Sequence, residues 1–270
     1  MSRVLEEFRA AFLKDIKIYS RYPSWVLGDV LVAPLWFLFF VLSVYIFSPP
    51  SSLTSSDMAQ TLSSFFWGYT FVMLFNTGVV GIGQYMVIEQ TSGTLEQILM
   101  APINRLTIVA GRWAMAIVTD TIILSSTALF LVASQHVGIQ LQHPLSLAAV
   151  LGLLEAALLG LGLTFAGVTL RLKGVVSAIN YLWFGVVIFS GVFFPVTAFP
   201  ASLEGLSLIL PTTYYVDMIK HFAVGTPTIL GSTVEGGLLC VFSVAILVIG
   251  WNVFGLMDRI VREQGTTGTY

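Results

Sequence analysis

Long apolar runs alternate along the chain with short polar connections. Six runs reach the length of about 20 apolar residues that a helix needs to cross a bilayer. They are Trp25–Phe47, Phe65–Ile88, Leu106–Ala133, Pro144–Leu170, Val175–Phe194 and Leu230–Met257. The pattern predicts an all-α integral membrane protein whose six-span domain covers residues 25–257, followed by a tail at 258–270.

The segment before the first run has a different pattern. Its apolar residues recur every three or four positions, with charged residues on the other faces. The apolar positions are Val4, Leu5, Phe8, Phe12, Ile16 and Tyr19. This spacing predicts an amphipathic helix within residues 1–24 that lies in the membrane interface and ends before Pro23. The pattern does not separate a simple anchor from a docking surface.

Charge is scarce and unevenly placed. Charged residues make up 10% of the 270 residues, against about 25% in soluble domains, which excludes an ordinary water-soluble globule. The net charge of −2 gives no basic footprint for nucleic acid. All Lys and Arg residues except Lys220 fall on one side of the predicted spans. This bias places both termini in the cytoplasm and predicts a multi-pass protein of the inner or plasma membrane.

Two connections have features of their own. Between spans two and three, Thr94 and Gln97 form a capping box, Leu95, Ile98 and Leu99 share a helical face, and Pro102 ends the helix. This predicts a short cytoplasmic helix that docks on another protein, or one packed on its own bundle. Between spans five and six, proline-broken apolar runs predict a re-entrant-like helical segment, with an ordinary extracytoplasmic hairpin as the alternative.

The sequence Gly93-Thr94-Leu95-Glu96, with Pro102 six residues later, resembles the coupling helix of type-2 permeases of ATP-binding-cassette exporters. The resemblance extends over nearly the whole chain and includes Gly191–Pro195 and Leu210–Tyr214. It implies a permease that pairs with a second copy or a paralogue and carries two cytoplasmic ATPase subunits, which hold ATP and Mg²⁺. The docking residues would be Glu89, Gly93, Thr94, Leu95, Glu96, Ile98, Leu99 and Pro102.

The sequence motifs also indicate that another subunit hydrolyses the ATP. No lysine is followed by Ser or Thr, so the chain lacks a phosphate-cradling loop and is not itself an ATPase. The three histidines and the single Cys240 have no metal-binding spacing, so we expect neither a metal nor another cofactor on this chain. An intramembrane enzyme is therefore disfavoured.

Polar groups inside the spans are candidate functional residues, because such groups are costly in lipid. Asp120 and Glu155 lie near mid-span, and Asn180 lies in span five. We expect Asp120 and Glu155 to face the bundle interior and to hold spans three and four together. A role in recognising a cationic substrate is the alternative. An ion-coupled secondary transporter that uses these carboxylates is the competing function.

Spans one, two and five are rich in aromatic residues. In the resembled family these spans line the path between two permease halves, which implies export of an amphipathic or hydrophobic substrate of the drug, lipid or glycan type. The candidate path residues are Phe40, Phe71, Phe75, Tyr181 and Phe184. The competing interpretation is that these rings face lipid.

Overall fold

The computed structural model describes residues 2–47, 55–91, 105–136, 138–169 and 175–264, and all regular structure in these ranges is helical. The helices are α1 (Ser2–Arg21), α2 (Pro23–Phe47), α3 (Ser55–Phe75), α4 (Ile82–Thr91), α5 (Arg105–Gln135), α6 (Pro144–Thr169), α7 (Val175–Phe189), α8 (Ala201–Ile209), α9 (Pro211–Val224) and α10 (Ser232–Gln264). A π-helical segment, Asn76–Gly81, joins α3 to α4, and a 3₁₀ turn, Val196–Ala198, precedes α8.

Five stretches within these helices are long and apolar enough to cross a membrane. They are Pro23–Ser43, Asp57–Glu89, Leu106–Gln135, Pro144–Thr169 and Ser232–Val261. These stretches coincide with the predicted spans one to four and six, although the second helix begins well before Phe65 and the last continues beyond Met257. The fold is therefore that of an all-helical membrane protein.

The predicted fifth span, Val175–Phe194, is too long. Helix α7 has 15 residues and ends at Phe189, which at 1.5 Å per residue is about 22 Å and less than the roughly 30 Å hydrocarbon core. Gly191 stops the helix because it adopts the left-handed φ of 71°, a conformation that glycine tolerates best. The chain then leaves the helix through Val192, which is buried.

Helices α6 and α10 pack closely along a seam of small residues. A Cβ atom on Gly160 would lie 2.5 Å from the carbonyl oxygen of Ile246, and one on Gly250 would overlap the carbonyl oxygen of Gly160. Glycine at both positions lets the two backbones touch, as small residues do in membrane helix pairs. Gly152, two turns before Gly160 on α6, has open space around it instead.

Short helices fill the connection between α7 and α10. Pro200 precedes α8 and Pro211 opens α9, where a missing N–H costs no helical hydrogen bond. Helix α9 is largely buried and contributes Tyr215, Met218 and Ile219 to the main core, which also includes residues of α3 and α6. The hydroxyl groups of Tyr215 and Ser243 hydrogen-bond and tie α9 to α10.

Candidate functional site

The predicted docking helix lies outside the described residues, but the helices on either side of it are described. The segment 92–104, which lies outside those residues, contains Gly93, Thr94, Leu95, Glu96, Ile98, Leu99 and Pro102. This segment follows α4 and leads into α5. Of the candidate docking residues, Glu89 alone is described.

Glu89 is held within the chain. Its side chain is 11% exposed, and Lys14 of α1 donates a hydrogen bond to its Oε1 across 3.2 Å. The same ammonium group lies 3.3 Å from the Tyr85 hydroxyl. Burial lowers the pKa of Lys14, but Tyr85 and Glu89 outweigh it, so the pKa is raised overall. In this arrangement Glu89 joins α4 to α1 and does not project outward.

Helix α1 also docks on α5. Asp15 pairs with Arg112 across 3.9 Å, and a Cβ on Gly111 would lie only 2.7 Å from the Cβ of Ala11. Gly111 thus allows the backbones of α1 and α5 to approach closely, and Arg112 forms the ion pair between the two helices. Helices α1, α4 and α5 meet where the chain enters and leaves the segment 92–104.

The mid-span carboxylates each have a hydrogen-bond donor. The Thr77 hydroxyl donates to Asp120 Oδ2 across 2.5 Å, and the Trp113 indole N–H donates to Glu155 Oε2 across 2.9 Å. Glu155 therefore links α6 to α5, as expected. Asp120 differs from the expectation, because its partner lies in the π-helical segment of span two and not in span four.

Asn180 and the candidate path residues fall into different environments. Asn180 is half-buried on α7 and forms no hydrogen bond with either carboxylate among the described residues. Phe71 and Phe75 are 0% and 5% exposed and belong to the main core. Side chains sealed in this way cannot touch a substrate in this conformation, so the structure does not support their placement on a path.

The other three path candidates reach the surface. Tyr181 and Phe184 on α7 are exposed. The Phe40 ring is half-buried and stacks on Phe193, with the ring centroids 4.5 Å apart. Phe193 belongs to the chain segment that leaves α7, so this aromatic pair joins α2 to the end of α7.

Sequence reasoning missed three residues that organise these sites. Thr77 and Trp113 are the partners of the carboxylates, and nothing in their local pattern marks them. Lys220, the one base outside the set that the sequence predicts to be cytoplasmic, carried a signal in its unusual position. Its ammonium group donates to the carbonyl oxygens of Gly191 and Val192, each across 2.8 Å. These carbonyl groups follow the end of α7, where a cation is favoured.

Lys220 and Asp217 line a cavity of about 390 Å³ between α9 and the loops that flank α8 and α10. Burial lowers the pKa of Lys220 from 10.5 to about 8, and the negative charge of Asp217 opposes the shift. Burial also raises the pKa of Asp217, whose Oδ2 accepts a hydrogen bond from the N–H of Ile229 across 2.9 Å.

The lowered pKa of Lys220 predicts a pH effect on stability. Between pH 8 and 10.5 the folded chain binds fewer protons at Lys220 than the unfolded chain, so a rise in pH through this range favours folding. We expect the difference in apparent Tm between the wild type and Lys220→Met to grow from pH 7.5 to pH 9.5. Thermal unfolding in detergent measures it. A difference that is constant or shrinks would contradict the assigned pKa.

The five long apolar helices are typical of a polytopic membrane protein. The profile of the ABC-2 type transporter family matches residues 6–222. Because the match extends over more than half of the chain, the chain belongs to this family and is a multi-pass permease component of an ATP-binding-cassette transporter. A comparison with curated proteins finds no significant match.

Proposed function

We propose that the chain is the permease subunit of an ATP-driven exporter that moves an amphipathic or hydrophobic substrate out of the cell. Two permease chains, identical or paralogous, would form the complex with two cytoplasmic ATPase subunits, which bind ATP and Mg²⁺. Six spans would place both termini in the cytoplasm, with α7 and the residues after it as the fifth. The family match over residues 6–222 supports the permease role on which this proposal rests.

The contacts around segment 92–104 support a mechanical role for that segment. Helix α4 leads into it and α5 leaves it. Helix α1 is fixed to α4 through Lys14 and Glu89, and to α5 through Asp15 and Arg112. A displacement of the segment by a docked ATPase would therefore act on three helices together. A rigid push on packed helices is a common way to convert a local change into a rearrangement of spans.

The proposal is tested first by purification. The chain is purified in mild detergent from the membranes of its own cells, and the recovered complex is assayed for ATP hydrolysis. We expect a second subunit with a phosphate-binding loop in equal amount and a vanadate-sensitive ATPase activity. Recovery of a pure permease without ATPase activity, while transport of the cell's substrates persists in ATP-depleted vesicles, would favour an ion-coupled carrier.

Cysteine crosslinking tests the docking segment directly. Cys240 is the single cysteine and is exposed, so Cys240→Ser provides a clean background. Thr94→Cys should crosslink to the ATPase subunit through a short bifunctional maleimide reagent. Asp57→Cys, on an exposed residue near the start of α3, serves as the control on the opposite side and should not. Equal crosslinking from both positions would contradict the proposed docking.

A further inference from the structure

A cavity of about 490 Å³ lies between α3, α5 and α6 and extends from the middle of α5 to the connection between α5 and α6, where Ile139 and Leu141 line it. Asp120 on its wall is the middle residue of α5, so it lies about 22 Å from either end of that helix at 1.5 Å per residue. The walls combine carboxylate, aromatic and aliphatic side chains. The residues that line it include Phe66, Trp67, Asp120, Ser125 and Glu155.

Asp120 is incompletely satisfied. Its side chain is 3% exposed, and its Oδ2 accepts the hydrogen bond from Thr77. Its Oδ1 is buried and has no hydrogen-bond partner among the described residues. A buried oxygen of this kind normally has a partner, and one at mid-depth of a membrane protein points to a function.

Glu155 adds a second carboxylate to the same cavity. One of its oxygens is held by Trp113. In the part of the chain that the structure describes, neither Glu155 nor Asp120 forms an ion pair with Lys or Arg. The described walls of the cavity therefore offer hydrogen-bond acceptors but no basic side chain.

The aromatic wall is held in place. The indole N–H of Trp67 donates to the carbonyl oxygen of Gln140 across 3.0 Å, and the Phe66 ring meets the Trp67 ring edge-on with centroids 5.3 Å apart. Fixed aromatic rings attract an organic cation through their π faces. Because the rings are already fixed, little side-chain entropy is lost when they pack against the apolar part of a ligand.

We propose that this cavity binds an amphipathic amine, with its ammonium group at Asp120 and Glu155 and its apolar body against the aromatic wall. The inference rests on the proposed export function, for which it names the substrate class. An ammonium N–H supplies the donor that Asp120 Oδ1 lacks, and its charge neutralises the carboxylates in a low-dielectric site.

The chemistry of the walls favours an amine over other ligands. Hard divalent cations take six or more oxygen ligands, whereas this cavity has two carboxylates and walls that are mostly apolar. A neutral apolar molecule would leave Asp120 Oδ1 without a partner. The volume lies within the range of about 300–1,000 Å³ that is usual for small-molecule sites.

The test is an equilibrium binding titration with monodansylcadaverine, an alkylammonium linked to a dansyl ring. The full chain, with any subunits that co-purify, is placed in nanodiscs at pH 7 and dansyl fluorescence is followed. We expect saturable binding above that of empty nanodiscs. Asp120→Asn should weaken it about tenfold or more, because a charge-assisted hydrogen bond is lost. Glu155→Gln should also weaken it.

Three controls make the result specific. The N-acetylated probe lacks the charge and should bind the wild type as weakly as it binds Asp120→Asn. Glu204→Gln removes one carboxylate from α8, away from the cavity, and should bind the amine like the wild type. Ser125→Trp blocks the cavity at an exposed wall residue and keeps both carboxylates, so loss of binding there supports the site even if Asp120→Asn fails to fold.

Wild-type affinity in Asp120→Asn, Glu155→Gln and Ser125→Trp would overturn the inference, as would equal binding of the amine and its acetylated form. The assay needs no ATP. If the ATPase subunit co-purifies but these substitutions leave the affinity for the amine unchanged, the amine-binding inference alone fails. If no ATPase is found but the amine binds as described, the cavity is supported and the export function fails.

Discussion

Gly250→Ala is expected to lower the free energy of unfolding by about 2–3 kcal/mol, a large effect for one methyl group. The added Cβ would overlap the carbonyl oxygen of Gly160, and backbone atoms on both helices leave little room for relief. Forcing extra volume into a packed interior costs roughly 1–3 kcal/mol or more. Gly160→Ala should have a similar effect, since its Cβ would meet the backbone of Ile246 and Leu247.

Matched substitutions in the same two helices test whether the clash between α6 and α10 is the cause. Gly255→Ala on α10 and Gly152→Ala on α6 place the methyl group in open space, and glycine is a poor helix former, so both should be neutral or slightly stabilising. Apparent Tm in detergent, read from intrinsic fluorescence, ranks the four variants. Equal losses at all four glycines would show that the α6–α10 contact does not control stability.

Lys220→Met is expected to destabilise the chain by about 2–4 kcal/mol, because it leaves two carbonyl groups without a donor. The carbonyl oxygens of Gly191 and Val192 both accept from the Lys220 ammonium group. The methionine side chain has a similar length and no N–H. Loss of these bonds should release the segment after α7, which limited proteolysis at residues 190–200 and apparent Tm would detect.

Two further variants test whether the lost hydrogen bonds are the cause of the destabilisation. Lys220→Arg keeps the charge and several donors and should recover part of the loss. Lys17→Met makes the same chemical change on an exposed residue of α1 and should be close to neutral. If Lys17→Met and Lys220→Met lost the same stability, the two hydrogen bonds would not be the reason.

Sequence patterns predicted the helices whose position is set by apolar spacing or by apolar length. The amphipathic spacing of α1 and the apolar length of five spans follow from burial alone, so their positions agreed with the structure to within a few residues, except at the start of span two. The end of α7 was harder. Its apolar run continues to Phe194, and only the φ of Gly191 shows that the helix has already stopped.

The environment of each aromatic residue could not be predicted. In a soluble protein an apolar face turns inward, but in a membrane both the core and the lipid are apolar, so periodicity does not distinguish them. Phe71 and Tyr181 are equally apolar in pattern, yet one is sealed in the core and the other is exposed. The pairing of Asp120 with Thr77 depended on helix packing that no local signal encodes.

The π-helical segment at residues 76–81 sets the angular phase between the two halves of span two. A π turn takes up one residue more than an α turn, and each residue of an α-helix advances by about 100°. A regular α-helix through the same sequence would keep Phe71 and Phe75 in the core but would rotate Glu89 away from Lys14. The π-helical segment therefore lets span two pack into the protein core at one end and form the ion pair with α1 at the other.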